Sequence, residues 1–213
     1  MLKIAITSRA LFDLDASHLV FTNDGLEAYK EHQISQENTP LNPGEAFTLV
    51  KKLLNLNDLY KGENLVEVML LSRNTADTGL RIFNSIQHHG LDIKKAAFCG
   101  GNSPHVYAKS FKADLFLLPS EKESFGLSAL EAMASSVPVV SSDAGGLPEL
   151  IENAKSGYIC KIGDVEDMSK KSLEILDDKN LKVFKDNAFK RAKIYDIEKI
   201  LPEYIKMYKG VIK

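Results

Sequence analysis

The chain has 213 residues, 44% of them hydrophobic, with 27 Lys and Arg against 29 Asp and Glu for a net charge of −2. That length and apolar content supply one large core or two small ones, and the balanced charge offers no global field to attract nucleic acid or an anionic membrane. Apolar runs such as Val66–Leu71, broken by Glu67, fall far short of the roughly 20 residues of a membrane span.

Met1–Ile6 runs straight into a strand-like segment, without the apolar stretch and cleavage site of a secretory signal, so a cytoplasmic location is the expectation. The first strand is expected at Lys3–Thr7, followed by helices at Asp24–Ser35 and Pro43–Leu56. A loop over Gln36–Pro43, marked by Pro40 and Pro43, separates those helices, and a second loop covers Lys61–Asn64. A strand at Glu67–Ser72 precedes a helix at Ala76–His89, which sets Leu80, Phe83 and Ile86 on one face beside Gly79 and ends at Gly90. Further strands follow at Ala96–Cys99, Asp114–Leu118, Val137–Ser141 and Tyr158–Lys161. The helices between them are expected at Pro104–Phe111, Gly126–Ser135 and Leu147–Glu152. From Asp164 onward Leu173, Leu176, Phe184, Ala188, Ile200, Tyr204 and Tyr208 recur at helical spacing, predicting a helical tail packed back on the sheet. Cys99 and Cys160 lack metal-ligand spacing and read as buried reduced thiols.

Alternating strands and helices without a linker predict a single three-layer α/β sandwich. It is a Rossmann-like, mostly parallel central sheet with helices on both faces and a helical C-terminal tail.

Residues 1–117 resemble the cytosolic 5'-nucleotidase type I family, whose fold belongs to the haloacid-dehalogenase phosphatases. The resemblance is carried by Thr7–Phe12, Glu27–Gln33, Pro40–Phe47, Val66–Leu91 and Ala96–Pro104. It implies Mg²⁺-dependent hydrolysis of a nucleoside monophosphate by an Asp nucleophile at the end of the first strand. Thr7-Ser8-Arg9 stands there instead, and Leu118-Pro119 stands where the metal-binding acids would follow a later strand. Asp13 and Asp15 have the spacing of the acidic pair but lie beyond the strand end, where a polar loop is the simpler reading. The resemblance thus implies the first copy of an internal duplication whose catalytic acids lie in the second. Ser72, ending the second strand, and Arg73 are candidate phosphate ligands. Adjacent His88 and His89 point about 100° apart on a helix, which disfavours a shared metal and favours an ordinary role at the helix C-terminus.

Residues 118–213 resemble the C-terminal part of retaining two-domain glycosyltransferases, with N-acetylglucosaminyl-malate synthases as the nearest pattern. Leu117–Asp164 carries it, through Glu123 and Glu131 spaced around Ser124-Phe125-Gly126-Leu127, with Ala132-Met133, Pro138 and Gly145-Gly146. The resemblance implies a UDP-sugar site in which Gly126 and Leu127 open a helix toward the diphosphate. Glu123 would hold the donor sugar and Glu131 the ribose. The basic pair and acceptor domain of that family lie upstream and are replaced here. Arg9, Arg73 and Lys109 are candidate substitutes for the cations. Ser136 stands where a helix-ending Gly is usual.

The seam lies in the strand Asp114–Leu117, with a 5'-nucleotidase-like half at 1–117, a glycosyltransferase-like half at 118–213 and one continuous sheet. The favoured reading is a nucleotide-sugar binding domain with little or no transferase activity, needing no cofactor and assigned no catalytic residue or metal ligand. The expected partner is a nucleotide or nucleotide-sugar. The alternatives are a nucleoside monophosphatase, for which Mg²⁺ would be required, and a chimeric scaffold without a complete active site.

Overall fold

The computed structural model describes residues 1–60, 64–102 and 105–211. Its strands are β1 (Leu2–Thr7), β2 (Val66–Ser72), β3 (Lys95–Phe98), β4 (Leu115–Leu118), β5 (Val139–Ser142) and β6 (Gly157–Cys160). All pairings are parallel, and the strand order is β3-β2-β1-β4-β5-β6. β1 is therefore central: Ile4, Ala5 and Ile6 align with Val68, Met69 and Leu70 on one side and with Leu115, Phe116 and Leu117 on the other. Strands from both sides of residue 117 share this ladder.

Parallel strands covered on both faces read as continuous apolar runs, and all of Leu115–Leu118 is buried. Alternate residues feed two cores. Ile4, Ile6, Leu115 and Leu117 pack under α3 (Phe47–Leu59), α4 (Ala76–His88) and α8 (Val165–Leu176). Ala5, Phe116 and Leu118 pack under α5 (His105–Ser110), α6 (Leu127–Ala134), α7 (Leu147–Leu150) and α9 (Asp178–Ala192). A short N-terminal helix, α1 (Ser8–Leu11), and a 21-residue helix, α2 (Asp15–Ser35), precede α3. A 3-10 turn at Lys193–Tyr195 leads to α10 (Ile197–Val211) at the C-terminus.

At the seam, the carboxylate of Asp114 accepts from the Lys3 backbone N–H at 3.1 Å and from Lys185 of α9 at 2.6 Å. One side chain thereby fastens β1, the approach to β4 and the C-terminal helices. The two thiols, Cys99 and Cys160, are buried and free. Burial, aided by Asp167, pushes Cys160 up to about 12, which keeps it protonated.

Several boundaries depart from expectation. α2 begins at Asp15 rather than Asp24 and breaks at Gly25, whose φ is 86°. Just before it the Asp13 carboxylate accepts from the Asp15 N–H at 2.9 Å, a polar turn leading into the helix without an apolar signature. α3 starts at Phe47 rather than Pro43 because Gly44 and Ala46 donate their N–H groups to Leu11 and Ala10, holding residues 43–46 as a turn. The α4 face is rotated from expectation: Leu80 and Phe83 are exposed, whereas Thr78, Arg81, Ile82, Ser85 and Ile86 are buried. Polar partners explain this. Arg81 donates to the Thr39 carbonyl at 3.0 Å and to Gln33 at 3.1 Å, and Ser85 accepts from Leu41 N–H at 2.9 Å.

Ser136 takes the left-handed conformation (φ 60°) that follows a helix end. In the tail, Leu176, Phe184 and Ala188 are buried, but Leu173 is exposed and α10 does not return to the sheet: residues 201–210 are all exposed. Most of the expected loop Lys61–Asn64, and Pro104 at the start of an expected helix, lie outside the described residues.

Candidate functional site

In this strand order the crossovers from β1 and β4 leave on opposite faces, and a crevice opens at their carboxyl ends where ligands of such sheets bind. Thr7 ends β1 and Ser8-Arg9 follow it, Arg73 follows β2, and Pro119-Ser120 follows β4.

The β1 and β2 ends are tied together by hydroxyls. Ser8 Oγ and Ser72 Oγ are 3.0 Å apart and both residues are buried, while Ser72 Oγ also accepts from Asn74 N–H at 3.2 Å. Ser72 thus lies inside the protein, against Ser8 and Asn74. Thr7 Oγ1 accepts from Ala10 N–H and caps α1. Arg9 pairs with Asp15 at 3.1 Å, both largely exposed. Asp13 is exposed in the turn that starts α2.

The loop from Ser120 to Gly126 is shaped by close backbone approach. Gly146 N–H donates to Ser124 O at 3.0 Å. A Cβ on Gly145 would lie 1.5 Å from Glu123 O, so only glycine fits beneath this loop. Glu123 Oε1 accepts from Ser124 N–H at 3.1 Å. Phe125 meets Tyr195 edge-on at 5.8 Å between centroids.

Gly126, at φ 88°, precedes α6 with no side-chain cap, and Leu127 is half exposed. The first N–H groups of this eight-residue helix are therefore available to a ligand, at the positive end of its dipole. On the second turn Glu131 turns toward Arg73: Oε1 lies 3.7 Å from Nη2, while Oε2 is buried without a hydrogen-bond partner. A buried carboxylate oxygen left unpaired is costly and is satisfied by any donor that reaches it. Lys109 is exposed on α5 and forms no ion pair among the described residues.

A second acidic feature lies beside the crevice. Glu45, next to a cavity of about 20 Å³ lined also by Pro119 and Asp164, is pushed up to about 7. Burial is the main cause, reinforced by a shared hydrogen bond and charge repulsion with Glu121 and by Asp15, and opposed by Arg9. The pair joins a turn before α3 to the loop after β4. Sequence reasoning missed it because the two acids are far apart in the chain and follow no motif. Their places just before α3 and just after β4 were the available signal.

Among the described residues no group of three or more His, Cys, Asp or Glu side chains is arranged to hold a metal ion. With Ser8 and Arg9 after β1 and Pro119 after β4, the donor set does not fit a Mg²⁺ ion there. His88 and His89 stand with rings perpendicular at 86°. His89 is explained by its contact with Leu41 O at 2.8 Å and its packing on Phe12 and Phe47, rather than by the helix dipole alone.

The chain is 37% identical over 121 residues to human cytosolic 5'-nucleotidase 1B, an alignment covering 54% of this chain and 20% of that protein. It is 29% identical over 211 residues to N-acetyl-alpha-D-glucosaminyl L-malate synthase of Bacillus anthracis, covering 96% of this chain and 54% of the synthase. The solved Anabaena HepE structure in complex with UDP and glucose superposes with a TM-score of 0.55 at 22% identity, over 75% of this chain and 44% of that one. The chain thus spans about half or less of the length of these proteins, and the likeness in structure shows a fold shared with glycosyltransferases. A 5'-nucleotidase family model matches residues 1–193, across the seam rather than up to it. With a glycosyltransferase-like fold and sequence signature present in the same chain, the protein belongs to the 5'-nucleotidase family.

Proposed function

We propose that the chain binds a nucleoside diphosphate or UDP-sugar in the crevice between β1 and β4, with little or no sugar transfer. The observation that carries this reading is Glu131: one oxygen faces Arg73 and the other is buried without a donor. A ribose diol supplies two O–H donors in the spacing a carboxylate accepts. The uncapped start of α6 at Gly126 and Leu127 suits the diphosphate, with Ser124 beside it, and Glu123 at the rim suits hydroxyls of the sugar. Phe125, braced by Tyr195, offers an aromatic edge at the same mouth. That the solved relative of this fold carries UDP and glucose supports the same ligand class. Arg73 is the cation nearest Glu131, and Arg9, at the end of β1, is already paired with Asp15. Weak neutralisation of a diphosphate leaving group is the reason transfer is expected to be slow.

Calorimetry with UDP and UDP-N-acetylglucosamine tests the proposal. Micromolar to millimolar binding that weakens in Glu131→Ala supports it, and no heat at millimolar ligand, or binding indifferent to Glu131→Ala, rejects it.

Hydrolysis of a nucleoside monophosphate is the second reading, favoured by the family match over residues 1–193. Its weakness is chemical, since no carboxylate follows β1 and Asp13 stands in an exposed turn. Phosphate release from AMP or IMP with Mg²⁺ that disappears in Asp13→Asn would establish it.

A further inference from the structure

Helix α10 leaves the domain uncovered. Residues 201–210 are all exposed, and Ile197, Leu201, Tyr204, Ile205, Met207 and Tyr208 each show two-fifths or more of their surface to solvent. At about 100° per residue these side chains, with half-buried Ile200, form one apolar stripe along the helix. A 15-residue helix without packing is marginal in water, so a helix of this length and pattern is built to be covered.

The charges beside the stripe indicate what covers it. Glu198 and Lys209 lie on the same edge of the stripe, about 20° apart around the axis and about 16 Å apart along it. Neither forms an ion pair among the described residues. When two copies of a helix meet antiparallel about a two-fold axis, the same edge of each faces the other. Glu198 of one copy then stands opposite Lys209 of the second, and Lys209 opposite Glu198. That register also sets Ile200 across from Met207 and brings the two Tyr204 rings together near the axis. Lys199 and Lys206 point to solvent on the far side. Covering six large apolar side chains per copy removes about 1,200 Å² in total, the lower end of what a specific interface buries.

We propose that α10 is a self-association surface on which a second copy of this chain docks antiparallel, the apolar stripe supplying affinity and the Glu198–Lys209 pairs fixing direction and register.

Sedimentation equilibrium or light scattering on the full chain tests it. The expected species is a dimer of twice 23.6 kDa. Tyr204→Glu, which brings two carboxylates to the axis, is expected to give monomers, with an unchanged thermal melt showing that the domain remains folded. Glu198→Lys and Lys209→Glu are each expected to weaken the dimer about tenfold. The double variant Glu198→Lys/Lys209→Glu restores it, and an equimolar mixture of the two single variants associates better than either alone, because the mixed dimer sets two positive side chains of one copy against two negative ones of the other. A monomer at high micromolar concentration overturns the proposal. So does a dimer indifferent to Tyr204→Glu, or one in which the double charge swap fails to rescue.

Discussion

The guanidinium of Arg73, at the carboxyl end of β2, lies 3.7 Å from the carboxylate of Glu131 on α6, joining residues from opposite sides of the seam in one cluster. Arg73 is half exposed, so the pair contributes only about 0–1 kcal/mol to stability. Arg73→Ala is expected to leave the thermal melt nearly unchanged while weakening UDP binding severalfold. Glu131→Gln should weaken binding by about tenfold or more, in the range for hydrogen bonds to charged groups. Calorimetry beside melting curves separates the two effects.

Glu45 makes stability depend on pH near neutrality. Its folded value, about 7, lies above its ordinary 4.5, so the folded state holds the proton more tightly than the unfolded chain. The associated stability is fully present below about 4.5 and is lost as pH rises through 7. Glu45→Gln is expected to flatten the melting temperature over that interval. Urea titrations at several pH values check this, and an unchanged slope would count against the Glu45–Glu121 contact.

Gly145 is the most constrained glycine in the site. Gly145→Ala sets a Cβ 1.5 Å from Glu123 O at a φ of 52°, so the loop carrying Glu123 must move. Expected are a stability loss of about 1–3 kcal/mol and weaker nucleotide-sugar binding, read by denaturant unfolding and calorimetry.

Leu117 lies fully buried in the seam strand, in the ladder with Ile6 and Val140. Leu117→Ala removes buried methyl groups and leaves a cavity, and is expected to cost about 2–5 kcal/mol. A single unfolding transition shifted as a whole would show that strands from both halves melt together.

The strands were legible because doubly covered parallel strands must be apolar throughout, as Val66–Leu71 and Leu115–Leu118 nearly are. Glu123 and Glu131 were legible as a spacing set in a dense motif. Their partners were not, because Arg73 meets Glu131 only through the strand order, which no local pattern encodes. The rotated face of α4 was hidden for a related reason: its buried stripe contains Arg81 and Ser85, made tolerable by Gln33, Thr39 and Leu41 from a distant segment. For α10 the periodicity indicated an apolar face, but packing against the sheet was assumed from that face and does not occur.

The central place of β1 bears on how such a chain can be inherited. A piece ending before β4 would bare the whole Ile4–Ile6 edge, and a piece starting after it would retain only the β5–β6 ribbon, too small to stand alone. The unit that must stay matched in any exchange of segments is the β1–β4 pair, where small Ala5 lies beside bulky Phe116 and the Lys3 backbone meets Asp114. Genetic shuffling at this point survives folding when those two strands suit one another, whatever chemistry either neighbour once performed.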